Sequence, residues 1–98
     1  MIINQKTEQD TLVFAPCGRL DTTTATEFEA ELTRALDGVT ALVLDFRDVA
    51  YVSSAGLRVI LKAQKRMAAK GGMKIVGANA MVMEVFEITG FADVLTIE

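Results

Sequence analysis

Apolar positions follow different periods along the chain. Residues 2–8 (IINQKTE) and 11–20 (TLVFAPCGRL) read as two strands around a turn at Gln9-Asp10. Alternation in the second is weakened at Pro16, which predicts a sheet edge or a bulge there. Over 24–36 the period lengthens: Ala25, Phe28, Leu32 and Leu36 recur at helical spacing, and Gly38 lies just past the end. Thr24 and Glu27 have the spacing of a capping box at its start. Residues 41–46 (ALVLDF) form a short continuous apolar run, expected of a strand covered on both faces. A second helix is predicted over 57–70, with a buried stripe of Leu57, Ile60, Leu61, Met67 and Ala68 and a stop at Gly71-Gly72. Residues 73–76 read as a strand. Residues 80–90 (AMVMEVFEITG) read as a third helix closed by Gly90 and Phe91, and 94–97 as a last strand.

The predicted order is β-β-α-β-α-β-α-β. It describes a single α/β domain over residues 1–98, with a small mixed sheet of about four or five strands. The first two strands are expected to form a hairpin. The last three, joined by helices, are expected to be parallel with right-handed crossovers. No repeat or linker interrupts them.

The segment between the third strand and the second helix, 46–52, is somewhat long for a βα connection. It lies at the carboxyl end of a parallel strand, where open α/β sheets commonly bind ligands. Two serines follow it. If Ser53 caps the helix, Val52 and Leu57 stand at the two positions of a hydrophobic staple; if Ser54 caps it, the pair would be Ser53 and Arg58, which is no staple. The first register is favoured. It gives Ser53 a cap of about 1 kcal/mol and places Ser54 at the first helical position, where the helix does not need its side chain. Ser54 is then a solvated serine or a free hydroxyl; a phosphate on it would suit a helix N-terminus. Gly56 in the first turn costs about 1 kcal/mol relative to Ala, which a partner backbone passing close by would explain.

Composition narrows the chemistry. Half of the 98 residues are hydrophobic (51%), with six aromatics and no Trp, so an aliphatic core can form without staples. The net charge of -3 argues against nucleic acid or an anionic membrane as the main partner. One Cys and no apolar run of spanning length, with no basic-then-apolar start, lead us to expect a cytoplasmic protein without membrane insertion. There is no His, so Ser-His-Asp and Cys-His machinery is impossible and an enzyme would have to work with carboxylates and Lys. No glycine-rich nucleotide loop is present, and neither cofactor nor metal is expected. Asp21, Asp45 and Asp48 could gather as carboxylates, but turn-forming Asp is common at strand ends and no fourth metal ligand is evident. Cys17 reads as a small residue at a bulge. The basic run 65–74 reads as the solvated face of the second helix, and of Met81 and Met83 one is expected on an exposed recognition face.

Three blocks, GRLDTTTATEFEAEL, LVLDFRDVAYVSSAGLRVIL and VFEITGFADVLTI, together resemble STAS domains, specifically the stand-alone anti-sigma factor antagonists. The resemblance spans nearly the whole chain. It implies that Ser54 is the phosphorylated serine, and that Asp21 lies beside it. The family's Asp before that serine is replaced here by Ser53, another good N-cap. The resemblance also implies a non-enzymatic partner switch, as a monomer or weak dimer. The unphosphorylated protein would bind an anti-sigma factor that is itself a serine kinase and so release a sigma factor. Phosphorylation would end the binding, and a serine phosphatase would reset it. Asp21, Ser53, Ser54, Ala55, Gly56, Leu57 and Arg58 are the expected partner-binding residues. The alternative within the same fold is a constitutive scaffold docked on the ATPase of an ABC lipid-transport system.

Overall fold

The computed structural model describes residues 1–98. Strands β1 (Ile2–Glu8) and β2 (Thr11–Leu20) form the expected antiparallel hairpin, with Ile2 opposite Cys17 and Glu8 opposite Thr11. Helix α1 (Thr22–Ala35), strand β3 (Ala41–Asp45), a short strand β4 (Val49–Val52), helix α2 (Ser54–Ala68), strand β5 (Met73–Val76), helix α3 (Ala80–Ile88) and strand β6 (Thr96–Ile97) follow. The sheet runs β1-β2-β3-β5-β6, parallel except for the first pair, and β4 lies parallel to the far end of β2. The mixed α/β sheet and the three helices are those expected, and β4 is an additional, sixth strand.

β4 changes how the site is reached. The segment 46–52 is not one long loop: only Phe46–Asp48 separate β3 from β4. β2 therefore has two neighbours in turn on one side. Thr11–Phe14 pair with β3, and Gly18–Leu20 pair with β4. The irregularity lies between Gly18 and Arg19, two residues after the expected Pro16. Gly18 has φ +103, a conformation a side chain disfavours, and its N–H donates to the Asp48 carbonyl at 2.9 Å. Pro16, two residues earlier, turns its nitrogen to the same side, in the gap between the two neighbours, so its missing N–H costs no ladder bond. Cys17 is half-buried just before this shift.

β3 is not covered on both faces. Leu42, Leu44 and Phe46 are buried and Ala41, Val43 and Asp45 only half-buried. One face of the sheet packs under helices while the other stays partly open. A single cluster of 23 buried apolar residues joins Leu12, Phe14 and Leu20 of β2 to Phe28 and Leu32 of α1, Leu57 and Ile60 of α2, Ile75 of β5 and Phe86 of α3. The stripe of α2 differs from expectation at two positions: Leu61 is half-buried and Ala68 exposed, while Val59 and Ala63 are buried instead. The last strand is shorter than 94–97. Gly90 takes a left-handed φ of +81 and leads into a 3-10 turn at Phe91–Asp93, so pairing begins only at Thr96.

Candidate functional site

Leu20 and Val52 are paired at the ends of two adjacent parallel strands, and each strand runs straight into a helix. The N-termini of α1 and α2 therefore emerge side by side. The Ser53 N–H donates to the Leu20 carbonyl at 2.7 Å and ties the two exits together. Two positive helix ends facing one patch of solvent make it favourable for negative charge.

α1 is capped by Asp21, and not by Thr24 as its spacing to Glu27 suggested. Asp21 Oδ1 accepts from the N–H groups of Thr23 and Thr24, both at 3.0 Å, while the Asp21 N–H donates to Thr24 Oγ1 at 3.0 Å. The box is thus Asp21 with Thr24, three residues upstream of the expected one. The Thr24 hydroxyl also donates to the Arg19 carbonyl at 2.6 Å. The Thr24 N–H holds the Asp21 carboxyl below the usual carboxylate range. Partial desolvation opposes this; the Thr24 hydroxyl, the Thr23 N–H and the Arg19 guanidinium support it.

α2 begins as the staple register requires. Ser53 has extended backbone, and its Oγ accepts from the Gly56 N–H at 3.4 Å. Val52 and Leu57 are both in the core, 1% and 6% exposed. Ser54 is the first helical residue and is exposed. Ala55 is half-buried and Arg58 exposed beyond it. Gly56 and Leu57 face inward, so of the seven residues expected to meet a partner these two instead support the surface. The backbone close to Gly56 is the chain's own: a Cβ there would lie 3.1 Å from the Leu20 carbonyl oxygen and 3.2 Å from Val52 Cγ1.

Sequence reasoning missed two supports of the site. Arg19 pairs with Tyr51 across β2 and β4, and its guanidinium lies 4.5 Å from the Tyr51 ring centroid and 3.8 Å from Asp21 Oδ2. No local signal announces that contact, because it exists only once β4 is paired. Asn79 caps α3 by accepting from the Val82 N–H at 2.8 Å, and its Nδ2 donates to the Val49 carbonyl at 3.1 Å, fixing β4 from behind. An Asn just before an apolar helix was a readable cap signal. The three aspartates are not brought together. Asp21 caps α1, Asp45 binds the Arg47 side chain at 3.1 Å on the open face of the sheet, and Asp48 stands before β4. Met81 is exposed and Met83 half-buried.

The chain belongs to the STAS domain family, whose model matches residues 3–98. Over 82 residues it is 37% identical to BtrV of Bordetella bronchiseptica, a protein named as an anti-sigma factor antagonist; the match covers 82% of this chain and 71% of BtrV. Its fold is that of solved anti-sigma factor antagonists. A Mycobacterium paratuberculosis example superposes with a TM-score of 0.89 at 20% identity, over 98% of this chain and 83% of the other. The Bacillus cell fate determinant SpoIIAA in its phosphorylated form superposes with a TM-score of 0.74 at 18% identity, over 99% and 91%. No helix is long and apolar enough to cross a membrane.

Proposed function

We propose that the chain is an anti-sigma factor antagonist controlled at Ser54. Unmodified, it binds an anti-sigma factor that is also a serine kinase, and a sigma factor is released. A phosphate on Ser54 ends the binding, and a serine phosphatase restores it. In this reading the chain acts in the cytoplasm, as one STAS unit, by binding alone.

The observation that carries the reading is the division of labour between the serines. Ser53 serves the helix, while Ser54 is exposed at the first helical position and holds nothing in place. A phosphate there brings a charge of about -1.5 to -2 to two helix N-termini, so the fold tolerates it. A partner docked on Asp21, Ser53, Ala55 and Arg58 meets that charge directly. Only about 2.7 kcal/mol is needed to weaken binding a hundredfold.

The test is intact mass after incubation with the kinase and ATP. One phosphate is expected on the wild type and on Ser53→Ala, and none on Ser54→Ala. A phosphate retained by Ser54→Ala and lost from Ser53→Ala would reverse the assignment. No phosphate on any version, with undiminished partner binding by Ser54→Asp, would favour the transporter scaffold instead.

A further inference from the structure

Basic residues are unevenly spread along the chain. Residues 49–83 hold six of its ten Lys and Arg and none of its thirteen Asp and Glu. Four of the six, Arg58, Lys62, Lys65 and Arg66, are exposed on α2. Their spacing of four, then seven and eight residues puts them on one side of the helix, and Ser54, four residues before Arg58, continues the same line to its N-terminus. The stripe borders a groove of about 230 Å³ between α1 and α2 that Thr22, Ala55, Arg58 and Lys62 help to line.

Only Lys62 has an ion pair, with Glu29 of α1 at 2.9 Å; Arg58, Lys65 and Arg66 have none. Lys65 and Arg66 stand in the last turns, where the helix dipole favours cations. Arg58 stands near the opposite end. It stands where the helix dipole does not favour a cation and has no carboxylate partner in the chain, so its guanidinium is free for a group outside.

We propose that this face of α2 is the docking surface for an acidic protein surface, and that a phosphate on Ser54 takes Arg58 away from the partner's carboxylates. The proposal rests on Ser54 being the phosphoacceptor. On a helix, residues four apart are neighbours. A phosphoserine at 54 offers three strong acceptor oxygens within reach of the Arg58 guanidinium, which forms charge-assisted, often bidentate bonds with such a group. The neutral hydroxyl makes no such claim. The switch thus adds a repulsive charge and removes an attractive one in the same step.

A protein surface fits the stripe better than a nucleic acid or a membrane. The chain is net acidic, and across the groove α1 presents Glu29, which already pairs with Lys62. A continuous run of phosphates crossing the four cations would also pass the Glu29 carboxylate, whereas the carboxylates of a folded partner can be placed to avoid it.

The test uses the full chain with phosphoserine installed at position 54 by genetic code expansion, so no kinase is needed. The second ionisation of the phosphate is followed by phosphorus NMR. It is expected to be depressed in the wild type, and Arg58→Gln is expected to raise it by roughly half a unit. Identical titrations in the two chains would overturn the capture of Arg58. Docking is read from amide shifts on adding polyglutamate of about 20 residues. Shifts along 54–66 are expected in the unmodified chain, with affinity about threefold lower after phosphorylation, in Arg58→Gln or in Lys65→Glu. Equal affinity for the two forms, no binding of polyglutamate, or duplex DNA or phosphatidylglycerol vesicles engaging these amides in its place would overturn the docking surface. Because the phosphate is installed, such a failure leaves the assignment of Ser54 standing. A kinase that leaves Ser54 unmodified would sink that assignment without altering these results.

Discussion

A hydroxyl at an N-cap is fixed by the amide it serves, and a hydroxyl one residue later is not. Ser53→Ala is therefore expected to lower stability by about 0.5–2 kcal/mol, and Ser54→Ala to stay within about 0.5 kcal/mol of the wild type. Urea denaturation of the two mutants measures the difference, and equal losses would show that the cap geometry at Ser53 is wrong. Asp21 adds a pH dependence. Its carboxyl titrates below the ordinary value of 3.8 in the folded chain, chiefly because it accepts the Thr24 N–H. A depressed folded value means that its contribution is present above the unfolded value and is lost as pH falls through the folded one. Asp21→Asn keeps a capping acceptor but cannot titrate there. The urea midpoint of the wild type is thus expected to fall more than that of Asp21→Asn between about pH 6 and about pH 3. Parallel loss in both chains would exclude the cap as the titrating group. The serine register was legible in the sequence because Val52 and Leu57 decide it. The Asp21 cap was not, because Asp21 with Thr24 and Thr24 with Glu27 both have box spacing. What decides between them is the Thr24 hydroxyl reaching the Arg19 carbonyl, a contact outside the helix.

Between β2, β4 and α2 there is room for a glycine and little more. Ala is the better helix former by about 1 kcal/mol, so helix propensity alone predicts that Gly56→Ala stabilises. The contacts predict the reverse. The added methyl would meet a backbone oxygen at 3.1 Å and two side-chain carbons at 3.2 Å, and Leu20 and Val52 are both wholly buried. Overpacking of about 1–3 kcal/mol outweighs the propensity gain. A net loss of stability is expected from chemical denaturation, and a gain would show that the two strand ends can part. Leu57→Ala, one residue on, is expected to cost about 2–5 kcal/mol as a cavity in the core. The strand that creates this crowding was the least legible element. Val49–Val52 is four residues long, preceded by Phe-Arg-Asp and followed by two serines, and Ala50 is exposed. Nothing local separates it from a loop. It is a strand because the far end of β2 has no other neighbour, which is a tertiary fact. The three helices were legible because each carries a long apolar period, while β6 was overestimated because the N–H groups of Val94 and Leu95 turn back to the Phe91 carbonyl and close the 3-10 turn, which leaves only Thr96 and Ile97 to pair.

Across the whole molecule, the candidate site and the core are built from the same strands. The strands that deliver Ser53 and Asp21 end in Val52 and Leu20, and both belong to the same buried cluster as Phe86 of α3 and Ile75 of β5. Asn79 then ties α3 to the back of β4. If Ser54 is phosphorylated as proposed, a frame of this kind lets the phosphate change the charge of the surface without moving the strands beneath it. The consequence is a testable form of unfolding. Tyr51, the chain's one tyrosine in the absence of Trp, lies on β4 beneath Arg19 and reports on the candidate site. Far-ultraviolet circular dichroism reports on all helices and strands. If the core is one cooperative unit, tyrosine fluorescence and circular dichroism are expected to give the same urea midpoint. A mutation remote from the site should then move both together: Val82→Ala, in α3 and fully buried, should lower the tyrosine midpoint as much as the dichroism midpoint. A tyrosine transition at lower urea than the dichroism transition would show β4 and the start of α2 opening by themselves. In that case the phosphate would act on a mobile element, and its effect on binding would include a change of shape as well as of charge.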